Sequence, residues 1–522
     1  MAETTSAPGE MKRSLTLTGI TVNAMALIAP GAFLWTTYEL QAAQVAGTKS
    51  TAADIWPGLL FALILALLTA YSYSELARLY PEAGTGSSYY FAEAALLDKD
   101  KPQHRKWARL AKLTVGWISH LYYWMYPGIL VAFVGTLFGY IWTSITDNTL
   151  GYFPLAIVCV VASVLCGYIA YRGVSGSTLT AIVINVIQIV ALVAVSIVFI
   201  AFRLGHNSTT WDFVNAGKVL IPHNFLHVLY QATIAILLLV GFESVTALGA
   251  EAINPDKDIR RGILLSLIIQ GGICYLFEYF ATGFAMGGAT ITGADGAKGL
   301  AAAAVDPAPI GTMLKTIGDK SLGGTGTTIS LIMAVTVLIA LLGSILACLN
   351  TGVRVTYAMA QDKEMPSILG LLHGDFATPH GGIWVLTLVT IVFGIYGVQP
   401  SQVHNVTQIT LASNAGTFIV YGITCLVTIV AFSHRHDKHY LKHYAVPGIG
   451  FLMNIALLFG ILYLAIVAGG DTATDAYKAL GGVAAWMVLG VIFFTFRSKK
   501  SDSKFIDVTA PKRAPSEVPS NV

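Results

Sequence analysis

Apolar residues along this chain come in long unbroken runs separated by short polar stretches. The runs show neither the alternation of a strand nor the one-sided stripe of a surface helix. Residues 376 to 434 hold 59 consecutive positions without an Asp, Glu, Lys or Arg. A helix needs about 20 mainly apolar residues to cross a bilayer, so this run accommodates two crossings and a turn. The pattern as a whole predicts twelve spans, at about 15–40, 55–80, 112–142, 152–171, 177–202, 226–250, 262–288, 326–352, 382–398, 404–432, 446–469 and 479–496. Helices are predicted rather than a barrel, whose strands would alternate over about ten residues. The fold class is therefore an all-α integral membrane protein.

Two spans carry interruptions. The first contains "LIAPGAFLW" at 27–35. Pro30 has no N–H to donate and its ring crowds the preceding turn, while Gly31 tolerates backbone angles that other residues resist. Taken alone, a proline kink packed between neighbours explains this. The sixth span, however, reads "ATIAILLLVGFESVTALGAEAINPDKDIRRG", with Gly241 and Glu243 near its middle. A charged side chain at the bilayer centre costs about 2.5–3.5 kcal/mol on insertion scales. Helical backbone can be broken in lipid only where protein or a water-filled cavity satisfies the freed groups. The two breaks are offset by five spans, an odd number that inverts the second half in the membrane. Paired interruptions of this kind mark a transporter built from inverted repeats. A substrate is expected between Ile28, Ala29, Pro30, Gly31 and Ala32 on one helix and Val240, Gly241, Phe242 and Glu243 on the other.

Composition agrees with this reading. Of the 522 residues 55% are hydrophobic and 11% charged, against about 25% charged in an ordinary soluble domain. Twelve spans place both termini on one side, and that side carries 24 of the 31 Lys and Arg residues. By the positive-inside rule the termini are cytoplasmic, in a multi-pass protein of the cell membrane. The polar segment 1–14 has no h-region or cleavage site of a signal peptide. The tail 498–522, rich in Lys, Ser and Pro, is expected to be disordered. The five cysteines fall in apolar segments without metal-type spacing and read as core residues. The Gly- and Ala-rich stretch 289–325 reads as a connector, with a covering, gate-like role as the alternative.

Other chemistry-bearing residues are fewer. Glu243 could carry a proton, counter a substrate amine or brace unwound backbone. Glu278, in "CYLFEYFATG", is a second intramembrane acid and hence a candidate for ion coupling. Glu75 and Arg78 sit at the inner end of the second span as structural or inner-gate residues. His120, Tyr123 and Trp124 in "GWISHLYYWMYPG" and Asn414 in "TLASNAGTF" are candidate pocket or gate residues, with a hydrogen-bonded core histidine as the simpler reading of His120. The basic stretch "HRHDKHYLKH" at 434–443 lacks the glutamate of a His-Glu-x-x-His zinc site and fits an orienting loop better. "GTG" at 84–86 lacks the strand and acid of a dinucleotide site, and no phosphate-binding motif argues for direct ATP coupling.

Three blocks carry a family resemblance. "YSYSELARLYPEAGTGSSYYFAE" (71–93), "GFESVTALGAEAINPDKDIRRGI" (241–263) and "RVTYAMAQDKEMP" (354–366) resemble blocks of the amino acid–polyamine–organocation permeases. The resemblance covers roughly residues 15–470. It implies a five-plus-five inverted repeat of the leucine-transporter type. Helices one to five would occupy 15–203, helices six to ten 226–432, and two additional helices 446–497. Two departures stand out. The family's Gly-Ser-Gly at the first break is Ala29-Pro30-Gly31 here, which removes one amide from the carboxylate nest. The lysine that many members carry on the fifth helix falls on Gln188, which supplies no ammonium charge, so Gln188 joins Glu243 and Glu278 as a candidate coupling position.

The function expected is secondary active transport of amino acids by alternating access. A polyamine or organic amine carrier or antiporter is the alternative, and a membrane-embedded enzyme a distant one. The expected partners are a small-molecule substrate (amino acid or amine), protons or a counter-substrate, and the lipid bilayer. No cofactor, metal or nucleic acid is expected, and the oligomeric state stays open.

Overall fold

The computed structural model describes residues 15–28, 32–97, 102–173, 178–206, 213–249, 252–286, 292, 296–376, 378–399 and 403–498. It is a helical assembly. In chain order run α1 (Leu17–Ile28), α2 (Ala32–Ala42), α3 (Ile55–Leu79), α4 (Ser88–Leu97), α5 (Pro102–Thr146), α6 (Tyr152–Tyr171), α7 (Thr178–His206), α8 (Phe213–Leu220) and α9 (Phe225–Ala235). There follow α10 (Pro255–Ser266), α11 (Leu276–Met286), α12 (Leu300–Ala303), α13 (Pro309–Ser321), α14 (Gly326–Gln361), α15 (His380–Gly397), α16 (His404–Phe432), α17 (Val446–Val467) and α18 (Gly470–Ser498). A two-residue hairpin, β1 (Val45–Ala46) with β2 (Lys49–Ser50), connects α2 to α3.

Among the described residues 11 helices are long and apolar enough to cross a membrane. The predicted span 15–40 is present as two shorter pieces, α1 and α2, on either side of residues 29–31, which lie outside the described residues. Several boundaries move outward from those predicted. The third span extends to 45 residues as α5, and the eighth runs on to Gln361 as α14. Apolar patterning marks only the stretch inside the bilayer, whereas the hydrogen-bond ladder continues into polar turns. Residues 289–325 also depart from a plain connector: Pro309–Ser321 forms a helix whose Ile310, Met313, Leu314 and Ile317 are buried. Its pattern is amphipathic, and Pro309 starts it at a position where no N–H is needed.

The core lies around α5, which packs against α4, α6, α14, α15 and α16. Nearly all of Phe225–Leu248 is buried inside the protein, while the last span is largely exposed and turns Val488, Val491 and Phe496 outward. Polar clamps reinforce one end of the core. The buried Lys112 ammonium lies 3.2 Å from Glu93 and 2.9 Å from Asp362, and Arg109 pairs with Glu364 at 2.7 Å. These pairs tie α4 and α5 to the end of α14, so part of the motif at 354–366 is an electrostatic clasp. Glu75 takes Arg78 at 2.8 Å, Arg260 at 3.4 Å and His443 at 3.5 Å, joining α3, α10 and the entry to α17.

Candidate functional site

Helix six loses its regular ladder over a longer stretch than its sequence suggests. After α9 the backbone tightens into a 3₁₀ turn at Ile236–Leu238, swings through Gly241 at φ +130°, and continues as 3₁₀ helix over Phe242–Leu248. Side chains bearing a Cβ resist that backbone angle. Space demands glycine as well: a Cβ there would stand 2.9 Å from Leu27 Cγ. Gly241 thus lets the unwound part of helix six touch the end of α1.

An unwound helix exposes polar backbone that lipid cannot satisfy, so the partners of those groups locate the break's surroundings. Asn414 donates to the Thr233 carbonyl at 2.7 Å and Tyr126 to the Leu237 carbonyl at 3.1 Å. The Gly241 carbonyl accepts from the Ser244 hydroxyl at 2.6 Å, and the Gly241 N–H donates to the Glu243 carboxylate at 3.0 Å. The carbonyls at the end of α1 are served in the same way. Gln270 donates to Met25 (3.1 Å), Ser344 to Ala26 (2.9 Å) and Tyr275 to Ile28 (2.6 Å). A π-helical stretch, Leu267–Tyr275, joins α10 to α11 and carries both Gln270 and Tyr275. Such widened turns recur at functional sites.

Glu243 is fully buried at the centre of this arrangement. Beyond the Gly241 N–H it accepts from Tyr421 at 2.8 Å and from Tyr123 at 3.3 Å, so α16 and α5 both reach the unwound strand through one carboxylate. Aromatic rings close the surroundings: Phe242 lies 5.2 Å from Tyr421 and 5.9 Å from Tyr73, centroid to centroid. The loop quoted above as "GTGSS" comes here too, with the Ser87 and Thr246 hydroxyls 2.5 Å apart and the Ser88 hydroxyl 2.5 Å from Tyr73.

The other predicted residues separate clearly. Val240, Gly241, Phe242 and Glu243 are together, with Ile28 nearby through the Leu27–Gly241 contact. Ala29, Pro30 and Gly31 lie outside the described residues, and Ala32 opens α2. Tyr123 reaches Glu243, but its neighbours point elsewhere. His120 is held between the Gly116 carbonyl (2.6 Å) and the Thr356 hydroxyl (3.0 Å), and the Trp124 ring packs toward Trp486 of α18. His120 and Trp124, four residues apart, share one face and lie 4.7 Å apart ring to ring, whereas Tyr123 is turned from Trp124 by one residue's rotation. Asn414 serves helix six from the tenth span. Gln188 donates to the Thr336 carbonyl at 3.2 Å, whereas Asn185, one turn earlier, accepts from Gln270, which also serves the end of α1. Glu278 is buried on α11 and makes no hydrogen bond.

Sequence reasoning missed Tyr126, Gln270, Tyr275, Ser344 and Tyr421. Each is a polar residue inside an apolar run, which is a signal, but only the fold shows which carbonyl or carboxylate each one serves.

The sequence model of the amino acid permease family matches residues 19–502. The chain belongs to the amino acid permease family. Amino acid transport is its function, and membership makes it a transporter rather than an enzyme. It is 26% identical over 470 residues to the branched-chain amino acid permease BcaP of Lactococcus lactis, covering 85% of this chain and 88% of that protein. Its likeness to BcaP of Bacillus subtilis is 22% over 515 residues, 95% of each chain. A low-affinity putrescine importer of Escherichia coli, PlaP, is 25% identical over 273 residues, 52% of this chain and 54% of its own.

Proposed function

We propose that this permease carries apolar amino acids of the branched-chain class by secondary active transport, with alternating access to a site between the breaks of helices one and six. The observation that carries the proposal is the unwound stretch at Ile236–Leu248 touching the end of α1, with its backbone braced by Glu243, Tyr123 and Tyr421. Backbone amides and carbonyls at residues 28–32 and 240–243 would receive the substrate's charged ends, and the rings of Phe242, Tyr73 and Tyr421 would face its side chain. The aromatic surroundings suit an apolar side chain, in keeping with the two branched-chain relatives. The polyamine alternative is not favoured, since the putrescine relative matches only half of the chain. In this reading the halves 15–203 and 226–432 are inverted repeats, helices 446–497 flank them, and both termini are cytoplasmic. The distribution of Lys and Arg supports that orientation.

Glu243 acts here mainly as a brace. Its oxygens already receive two tyrosines and a backbone amide, which leaves unwound helix six firmly tied. The test is a thermal-shift screen followed by uptake into proteoliposomes. A ligand at a hundredfold excess over Kd stabilises by about 2.7 kcal/mol, and leucine, isoleucine and valine should each do so. Labelled leucine should then enter the vesicles chemically unchanged, with valine competing and putrescine not. Stabilisation and uptake of putrescine with indifference to leucine would overturn the substrate class.

A further inference from the structure

The bracing of Glu243 leaves another buried glutamate, Glu278, unexplained. Glu278 is fully buried on α11, and among the described residues neither carboxylate oxygen meets a hydrogen-bond donor. Its two polar neighbours are committed elsewhere, and in an informative way. Tyr275 donates to the Ile28 carbonyl at the end of α1, and Tyr279 donates to Gln41 of α2 at 2.7 Å. Residues 275, 278 and 279 share one helix face. One turn at the junction of the π-helical stretch and α11 therefore grips both α1 and α2, with the Glu278 carboxyl group between the two grips. Gln41 in turn accepts from Gln231 of α9 at 2.8 Å through its carbonyl, so helix six joins the same layer.

Among the described residues no ion pair compensates Glu278. The ionisable groups around it are Cys274, Tyr275 and Tyr279 beside it in the chain and Tyr38 of α2, whose ring lies 5.7 Å from that of Tyr279 and tilted to it. From the helices packed on α11, α7 brings Arg203, but its guanidinium lies over the Phe284 ring at 5.7 Å. The short α8 brings Lys218, and Asp54 at the head of α3 is bound by His223 and His227. One turn beyond Glu278, the buried Thr282 hydroxyl also lacks a partner, which extends the uncommitted polar face along α11. An ionised carboxylate is not held in such a place without donors or a cation, whereas the neutral acid is.

We infer that Glu278 is the proton site that couples transport to the pH gradient. In the conformation described here it is the protonated acid, sealed between Tyr275 and Tyr279. When helix one moves relative to α11 the two tyrosine contacts open and water reaches the carboxyl group. The O–H bond then breaks, the proton leaves to water on the inner side, and the carboxylate takes a proton from outer water in the next cycle. This assignment rests on the transport reading above and adds the driving ion to it. It also supplies a titratable group where Gln188 leaves the fifth helix without one.

The test uses liposomes with an entrapped pH dye and the membrane potential clamped. For wild type, acid outside by one pH unit should concentrate leucine about tenfold at one proton per substrate, and leucine addition should acidify the interior. Glu278→Gln, a neutral mimic of the acid, should exchange leucine for leucine within about threefold of the wild-type rate. It should show no concentration by the gradient and no dye response, and Glu278→Asp should restore part of both. Accumulation by Glu278→Gln under a pH gradient would overturn the assignment. So would loss of exchange in that variant, wild-type exchange without proton movement, or accumulation driven by sodium alone. A wild type that neither exchanges nor accumulates leucine would overturn the transport reading as well, which separates the two failures.

Discussion

Glu243 and Glu278 are both fully buried acids in apolar helices, yet the protein treats them in opposite ways. Glu243 sits on broken backbone and collects a main-chain amide and two tyrosines from distant spans. Glu278 sits on regular helix, where the backbone is already satisfied, and collects nothing. The difference teaches that burial alone does not assign a role to an intramembrane acid. A carboxylate surrounded by donors is a structural joint whose charge belongs to the fold. A carboxyl group left bare beside moving parts is free to change its protonation with conformation.

The sharpest way to break the comparison is to remove the backbone freedom that Glu243 serves. Gly241→Val places a branched side chain at φ +130° and against Leu27. Strain of about 1–3 kcal/mol adds to overpacking of similar size, so leucine uptake should fall by about a hundredfold or more; near-normal uptake would mean that helix six need not unwind here. Glu243→Gln comes next. It puts an amide where three donors converge, and should cost about 2–3 kcal/mol in thermal melts of the detergent-purified protein. If it is only a brace, whatever uptake survives should keep the wild-type shape of its profile from pH 5 to 8.

Smaller effects sharpen the same contrast. Tyr421→Phe removes the shorter of the two tyrosine bonds and should destabilise by about 1.5–2 kcal/mol, as expected of bonds to charged groups. Tyr123→Phe, at 3.3 Å, should cost about 0.5–1 kcal/mol. A reversed order in the melts would show that Tyr123 is the main tether. Smallest of all should be Glu278→Gln, which breaks no hydrogen bond and exchanges one unpartnered neutral group for another, so its loss in the melts should stay below that of Tyr123→Phe. A loss there as large as that of Glu243→Gln would erase the distinction between the two acids.

Much of the architecture was legible beforehand. Long uncharged runs identify spans because lipid accepts only backbone that bonds within its own segment, and the break near Gly241 followed from a glycine and an acid in such a run. Its extent did not. Local sequence cannot tell how many turns will unwind, since that depends on whether Asn414, Tyr126 and Tyr421 arrive to receive the freed groups. The separate partners of His120, Tyr123 and Trp124 were illegible for a related reason. The three lie within about one turn of a single helix, but one reaches Thr356, one packs toward Trp486 and one reaches Glu243.

What the sequence by itself determined is therefore the class of solvent, the rough placement of the helical runs, and the two places where a helix would be awkward to continue. Periodicity, proline and glycine act within a few residues, and membrane insertion filters them further. Only the tertiary structure decided which polar groups meet. Gln270 and Tyr275 serve carbonyls near the start of the chain, Tyr421 serves Glu243 of an earlier helix, and Glu278 is served by none. Hydrogen bonds are short and directional, so a partner far along the chain is chosen by packing, which periodicity does not encode.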